Sequence, residues 1–272
     1  QVKDKFGKNI FFVTVSKTPN LKTIVETLFE HCGCKVPKFQ TDEDAVNRLE
    51  VLLRVLGKHP ILLVLDDVWP GSEDLVEKFK IKIPDYKILV TSRVSFPRFG
   101  TSYQLDKLDH VHAESLFRHF AQLKDKSSDI PENLVDEIVK GCKGSPLALK
   151  VIAGSLCNQP FVVWQNMMER LQGQSILESD STDLLSRLQQ SLDILETKFS
   201  INEKECFMDL GLFPEDQRIP VVALIDMWAE LYNLNEDGSN AMSIIHDLVS
   251  RNLINFIVTR YMASPPFSLL VI

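Results

Sequence analysis

The sequence has 272 residues, a length suited to one or two domains or to several small ones. Of these residues 44% are hydrophobic and 25% are charged, which is ordinary for a globular protein and excludes disordered, collagen-like and coiled-coil chains. The longest apolar runs, such as Ile61–Leu65, are far shorter than the roughly 20 residues that a membrane span needs. We therefore expect no membrane span. Because the sequence begins at Gln1 without a Met, we expect a fragment or a processed product.

Charge and cysteine content exclude further classes of protein. The formal net charge is −7, and the excess of acidic residues lies in the last third of the chain, where a nucleic acid would find no basic surface. The five cysteines are an odd number without C-x-x-C spacing, so a zinc site or a disulfide scaffold is not expected. No signal-peptide pattern opens the chain. Reduced thiols indicate a cytoplasmic protein.

Residues 1–107 alternate apolar runs with amphipathic stretches, which is typical of a parallel sheet with crossover helices. The predicted strands are Ile10–Val15, Ile61–Leu65, Lys87–Thr91 and a short fourth, Tyr103–Leu105; the predicted helices are Leu21–His31 and about Asp42–Leu56. Nearly continuous apolar strands are typical of sheets that are covered on both faces. We therefore predict a doubly wound α/β domain.

The strand signal stops after Leu108. Helical periodicity predicts four helices in residues 108–175, namely Val111–Leu123, one that Pro131 opens, Pro146–Leu156 and Phe161–Leu171, followed by a polar linker. Residues 180–272 show further helices, among them Ala241–Ser250, and then a strand at Leu253–Thr259. This order predicts a helical bundle at 108–175 and a winged helix at 180–272.

The strongest chemical feature is Asp66-Asp67, which directly follows the strand Ile61–Leu65. In open α/β sheets, ligands bind outside the carboxyl ends of the strands. One carboxylate can hold a magnesium-bound water while the next orients an attacking water. An acidic turn after a core strand is the alternative. Trp69, beyond the strand end, is expected to contribute packing rather than chemistry.

Two further motifs are ambiguous when each is taken alone. Arg93 follows the next strand, where a guanidinium can contact a terminal phosphate in a bidentate manner or can simply be solvated. Alone, a glycine followed by a proline can simply mark where one helix ends and the next begins, as in Gly144-Ser145-Pro146-Leu147-Ala148-Leu149. The order and spacing of all three motifs favour a functional interpretation.

In this combination the sequence resembles the NB-ARC module of plant NLR immune receptors. The resemblance rests on four ordered motifs: Leu63–Trp69, Val90–Arg93, Gly144–Leu149, and Cys206–Glu215 with Met227–Glu230. The last motif is similar to that of the coiled-coil class, and the strand Asn9–Ser16 is similar to the helper-receptor branch. The resemblance covers about residues 6–260.

The resemblance implies a P-loop NTPase domain at 1–107, a helical ARC subdomain at 108–175 and a winged-helix ARC subdomain at 180–272. It implies a switch between ADP and ATP with magnesium, a slow ATPase at most, in defence signalling. Asp66 and Asp67 are the implied Walker B pair, with Asp66 holding magnesium through water. Arg93 is the implied phosphate sensor, and Pro146 with Leu147 contacts the nucleotide base. The implied partners are other NLR chains or defence-signalling proteins.

The sequence departs from the family pattern at both ends. Gly7-Lys8-Asn9 lacks the glycines of a Walker A loop and opens a strand, so we interpret it as a turn. We expect the α/β domain to be incomplete at its N-terminus, with a loosened sheet. Residues 261–272 contain no Met-His-Asp-like motif and are expected to be a divergent tail.

Three other functions are alternatives to the nucleotide switch. A DNA-binding winged helix would need basic residues on Ala241–Ser250, which has none, so DNA is not an expected partner. A generic ATPase is disfavoured, because the sequence contains no motif that would recognise a second substrate. The serious alternative is a truncated regulatory or vestigial fragment that has lost nucleotide binding and acts through protein–protein contact.

Overall fold

The computed structural model describes residues 2–123, 130–173, 188–189, 191–195, 197–198, 201–214, 218–234, 237–258 and 267–271. These residues fall into two compact units, Gln1–Gln104 and Leu105–Ile272. Over the described ranges, none of the helices combines the length and the apolar character needed to cross a bilayer.

The first unit contains a parallel sheet of three strands in the order β1-β2-β3. The strands are β1 (Ile10–Thr14), β2 (Ile61–Asp66) and β3 (Tyr86–Val90); the helices are α1 (Val2–Phe6), α2 (Leu21–His31), α3 (Asp42–Leu56) and α4 (Glu73–Lys78). Local capping fixes the helix starts, because the side chains of Asn20 and Thr41 accept hydrogen bonds from the first turns of α2 and α3. The prediction of a parallel sheet with crossover helices is confirmed.

The helices cover one face of this sheet. Phe11, Leu63 and Ile88 point to that face, in one apolar cluster with side chains of α2, α3 and α4. On the opposite face, Phe12 and Leu89 flank Val64 in register and are each 51% exposed. Val64 itself is buried, so in the described residues this face is covered only in part, and the prediction that both faces are covered is not fully met.

The predicted fourth strand is also wrong. Residues 101–109 have no strand in the structure, and Tyr103 and Leu105 are 87% and 85% exposed. A segment with alternating apolar residues forms a strand only where a neighbouring strand pairs with its backbone hydrogen-bonding groups. In the described residues β3 pairs with β2 alone, so this segment has no pairing partner.

The second unit begins with four helices. They are α5 (His110–Ala121), α6 (Glu132–Gly141), α7 (Pro146–Leu156) and α8 (Phe161–Gly173). Their apolar faces form one cluster around Phe117, Ile138, Leu149 and Trp164. All four agree with the predicted helices to within about two residues. The predicted linker and the boundary near residues 175–180 lie outside the described residues.

The described residues in the rest of the second unit include three helices and several short strands. The helices are α9 (Glu203–Asp209), α10 (Val221–Tyr232) and α11 (Ser239–Ser250); the strands are β4 (Thr197–Lys198), β5 (Ile201–Asn202), β6 (Ile219–Pro220), β7 (Ile254–Val258) and β8 (Phe267–Val271). Strand β8 pairs antiparallel with β6 and with β7. Part of the expected divergent tail therefore forms the central strand of a three-stranded sheet.

Candidate functional site

The candidate site lies where β2 and β3 end. Both strands run in the same direction, so their carboxyl ends meet at one edge of the sheet. Asp66 is the last residue of β2, and Asp67 follows in the left-handed region at φ 51°, a conformation that Asp tolerates better than most residues. Past the strand ends, the Val68 amide donates to the Thr91 carbonyl oxygen at 2.9 Å. The two chain segments therefore stay joined beyond the sheet.

Thr91 ties the two aspartates together. Its hydroxyl donates to Oδ1 of Asp66 at 2.6 Å, and its Oγ1 accepts from the backbone amide of Asp67 at 2.9 Å. One side chain therefore holds both the carboxylate that ends β2 and the left-handed turn that follows it. Sequence reasoning assigned no role to Thr91. The signal that could have found it is a hydroxyl residue immediately after a strand that neighbours the Asp-Asp pair.

Arg93 lies beside the second aspartate. Its Nε is 3.5 Å from Oδ1 of Asp67, and its Cζ lies 4.8 Å from the centre of the Trp69 ring. The adjacent Ser92 hydroxyl donates to the Val68 carbonyl oxygen at 2.7 Å, which fixes the backbone from which Arg93 extends. The Arg93 side chain is 71% exposed, so its guanidinium is accessible to a ligand. The structure thus brings Asp66, Asp67 and Arg93 to one edge.

A metal ion at this edge would have few protein ligands. The residues that the structure describes contain no group of three or more His, Cys, Asp or Glu side chains arranged for a metal ion. Magnesium does not need such a group, because it keeps several waters and is commonly held by one or two carboxylates together with phosphate oxygens. The Asp66 carboxylate at the strand end fits that mode.

Pro146 and Leu147 lie in the second unit. Pro146 is the first residue of α7, and the Ser145 hydroxyl caps this helix by accepting from the Ala148 amide at 3.4 Å. Pro146 is exposed, whereas Leu147 is partly buried against the cluster of the last three helices. Gly144, just before this cap, has a φ of +69°. The motif therefore forms a tight turn and a helix start.

The residues Gly7 and Lys8 do not form a phosphate loop. The Gly7 amide donates to the Lys3 carbonyl oxygen at 2.8 Å, so this glycine closes α1 at its C-terminal end. Phosphate binds at helix N-termini, where free amides and the positive end of the dipole lie. The C-terminal end has the opposite polarity. The interpretation of these residues as a turn agrees with the structure.

Comparison with known proteins decides the family. Residues 1–119 match the model of the NB-ARC domain. The sequence is 41% identical over 260 residues to the probable disease resistance protein At5g66900 of Arabidopsis thaliana. It is also 31% identical over 260 residues to the disease resistance protein ADR1 of the same plant. The chain carries an NB-ARC domain of the plant disease-resistance family. The resemblance to plant NLR receptors is thereby confirmed.

The match covers only part of these relatives. Each of the two alignments includes 94% of this chain, but 31% of At5g66900 and 29% of ADR1. The chain therefore spans less than a third of the length of each of these two relatives. Among solved structures, Cdc6p from Pyrobaculum aerophilum aligns with 99% of this chain and 77% of its own, at 11% identity and a TM-score of 0.46, which is too loose a likeness to define the fold.

Proposed function

We propose that this chain is the nucleotide-binding module of a plant immune receptor and that it works as a switch between ADP and ATP in the cytoplasm. The observation that carries the proposal is the convergence of Asp66, Asp67 and Arg93 at the carboxyl edge of the parallel sheet. The NB-ARC match over residues 1–119 supports it. A bound nucleotide would supply the terminal phosphate whose presence or absence defines the two states.

Each residue of the edge has a distinct proposed role. Asp66, fixed by the Thr91 hydroxyl, holds the water shell of a magnesium ion. Asp67, which is in the left-handed region and whose Oδ1 lies 3.5 Å from Nε of Arg93, orients an attacking water. Arg93 exchanges its contact with Asp67 for the terminal phosphate, because a guanidinium binds phosphate with two parallel donors. Pro146 and Leu147 contact the nucleotide base.

The remaining domains fit the same proposal. The four helices α5–α8 form the helical ARC subdomain. The helices α9–α11 with the sheet β6-β8-β7 form the winged-helix subdomain, whose partners are other receptor chains or defence-signalling proteins. DNA is not a partner, since α11 carries no Lys or Arg.

Arg93→Ala tests the proposed sensor. The assay requires an extended chain, in which a first strand and a glycine-rich phosphate loop are joined in front of Gln1. Because Arg93 would contact only the terminal phosphate, the variant should lose ATP affinity by roughly tenfold or more, the effect of a charged hydrogen bond. ADP affinity should stay nearly unchanged in calorimetry. Arg48→Ala, on the exposed side of α3, is the matched control. An equal loss for both nucleotides would refute the sensor role.

The alternative function, a fragment that has lost nucleotide binding, is favoured by the turn at Gly7. A phosphate loop supplies several charged hydrogen bonds of roughly 1.5–3 kcal/mol each. Lacking three of them costs about 4.5–9 kcal/mol, or roughly a thousandfold to a millionfold in affinity. This alternative predicts no appreciable binding when ADP is titrated into the 272-residue chain by calorimetry. Micromolar binding would reject this alternative.

A further inference from the structure

We propose that Trp69 is a positioning residue for Arg93: its ring supports the guanidinium and keeps the donors of Arg93 available for a terminal phosphate. The inference rests on the function proposed above and extends it to a residue that was expected only to pack. It starts from the placement of Trp69, which follows Asp67 by two positions and is partly exposed rather than in the core.

Two cations lie near the Trp69 ring. The Cζ atom of Arg93 is 4.8 Å from the ring centre, and Nζ of Lys17 is 5.5 Å from it. Both distances are within the range in which the electron-rich face of an indole attracts a cation. Trp69 therefore has an electrostatic interaction with Arg93 that an aliphatic residue at this position could not replace.

The two neighbours of Arg93 constrain it in different ways. Asp67, whose Oδ1 is 3.5 Å from Nε, forms an ion pair with the guanidinium and therefore competes with a phosphate. The Trp69 ring, whose centre is 4.8 Å from Cζ, attracts the charge of the guanidinium and does not accept its N–H donors as a carboxylate would. A ligand phosphate can displace the carboxylate of Asp67 while the contact with Trp69 persists. The ring restricts the rotamers of Arg93 before a phosphate binds. Less side-chain entropy is therefore lost on binding, and the affinity for the phosphate is higher.

The contact can be tested in the chain itself by fluorescence quenching. The sequence has three tryptophans, and Trp164 and Trp228 are only 2% and 0% exposed, so iodide should quench Trp69 almost alone. The nearby cations attract iodide. Arg93→Ala should therefore reduce quenching by iodide about twofold without reducing quenching by neutral acrylamide. Trp69→Phe should abolish most iodide quenching, and Arg48→Ala should leave it unchanged. Unchanged iodide quenching in Arg93→Ala would overturn the proposal.

The role is tested in the extended chain with ATP and ADP. Trp69→Ala should weaken ATP binding about two- to fivefold, the effect of losing an exposed cation–π contact, with ADP binding unchanged. Trp69→Phe should retain most of the ATP affinity, because a second aromatic ring preserves the contact. If Arg93→Ala lowers ATP affinity and Trp69→Ala does not, the positioning role alone is overturned. If Arg93→Ala itself shows no preference for ATP, the proposed function fails and this inference fails with it.

Discussion

Gly144→Ala perturbs the turn that starts α7 and is expected to destabilise the second unit strongly. The glycine has a φ of +69°, and its carbonyl oxygen accepts a hydrogen bond from the Leu108 amide at 3.0 Å. A methyl group at this position would lie 2.4 Å from the Leu108 carbonyl oxygen and 3.2 Å from the Leu108 nitrogen. Both are backbone atoms, which cannot move aside as a flexible side chain can.

The expected magnitude has two parts. The left-handed conformation costs an alanine about 1–2 kcal/mol, and relieving the overlap by shifting backbone costs about 1–3 kcal/mol more. The reduced freedom of the unfolded chain offsets about 0.4–1 kcal/mol of this. The net loss in the free energy of unfolding is therefore about 1–5 kcal/mol. For a unit of this size, that lowers the melting temperature by roughly 2–20 °C.

The measurement is urea or thermal unfolding followed by tryptophan fluorescence, since Trp164 and Trp228 are buried in the second unit. Gly33→Ala is a matched control, because Gly33 has a similar φ of +65° but no atom within 4 Å of an added methyl group. The control isolates the cost of the backbone conformation, about 1–2 kcal/mol in the first unit. If Gly144→Ala lowered the free energy of unfolding no more than Gly33→Ala does, the close approach to Leu108 would contribute nothing to the loss, and the prediction would be refuted.

Two further predictions concern the sheet edge and the thiols. Thr91→Val should lower the free energy of unfolding of the first unit by about 1–3 kcal/mol in urea titrations, since it removes two hydrogen bonds at the Asp66 turn. Thr91→Ser keeps the hydroxyl and should retain most of that stability. Equal stability of the two variants would contradict this role of the hydroxyl. At pH 7, maleimide should label the exposed Cys34 well before Cys206 in peptide mass spectrometry. Burial, with nearby acidic side chains, raises the pKa of Cys206 to about 12, so its thiolate is scarce until the pH rises toward that value; equal labelling rates in the folded chain would disprove this protection.

Most secondary structure could be predicted from the sequence, because it depends on local patterns. The apolar run Ile61–Leu65 differs from the observed β2 by one residue at its end, and the run at 87–91 differs from β3 by one residue at each end. The helices of the second unit follow the 3.6-residue period of their apolar residues in the same way. The Asp-Asp pair and Arg93 were also correctly placed at one edge, since parallel strands that neighbour each other must end on the same side.

Other features depended on which segments meet, and no local pattern contains that information. Tyr103–Leu105 has the alternation of a strand but lacks a partner, so it stays exposed. The position of Thr91 after a strand marks it as a candidate, but its hydrogen bonds to Asp66 and to the Asp67 amide became evident only when the register of β2 and β3 was known. Likewise, Trp69 was expected merely to pack, yet the structure places its ring beside two cations. The period of the apolar residues indicates which side of a helix or strand faces the core. Contacts between side chains that are distant in sequence depend on how the helices and strands pack together, which the period does not show.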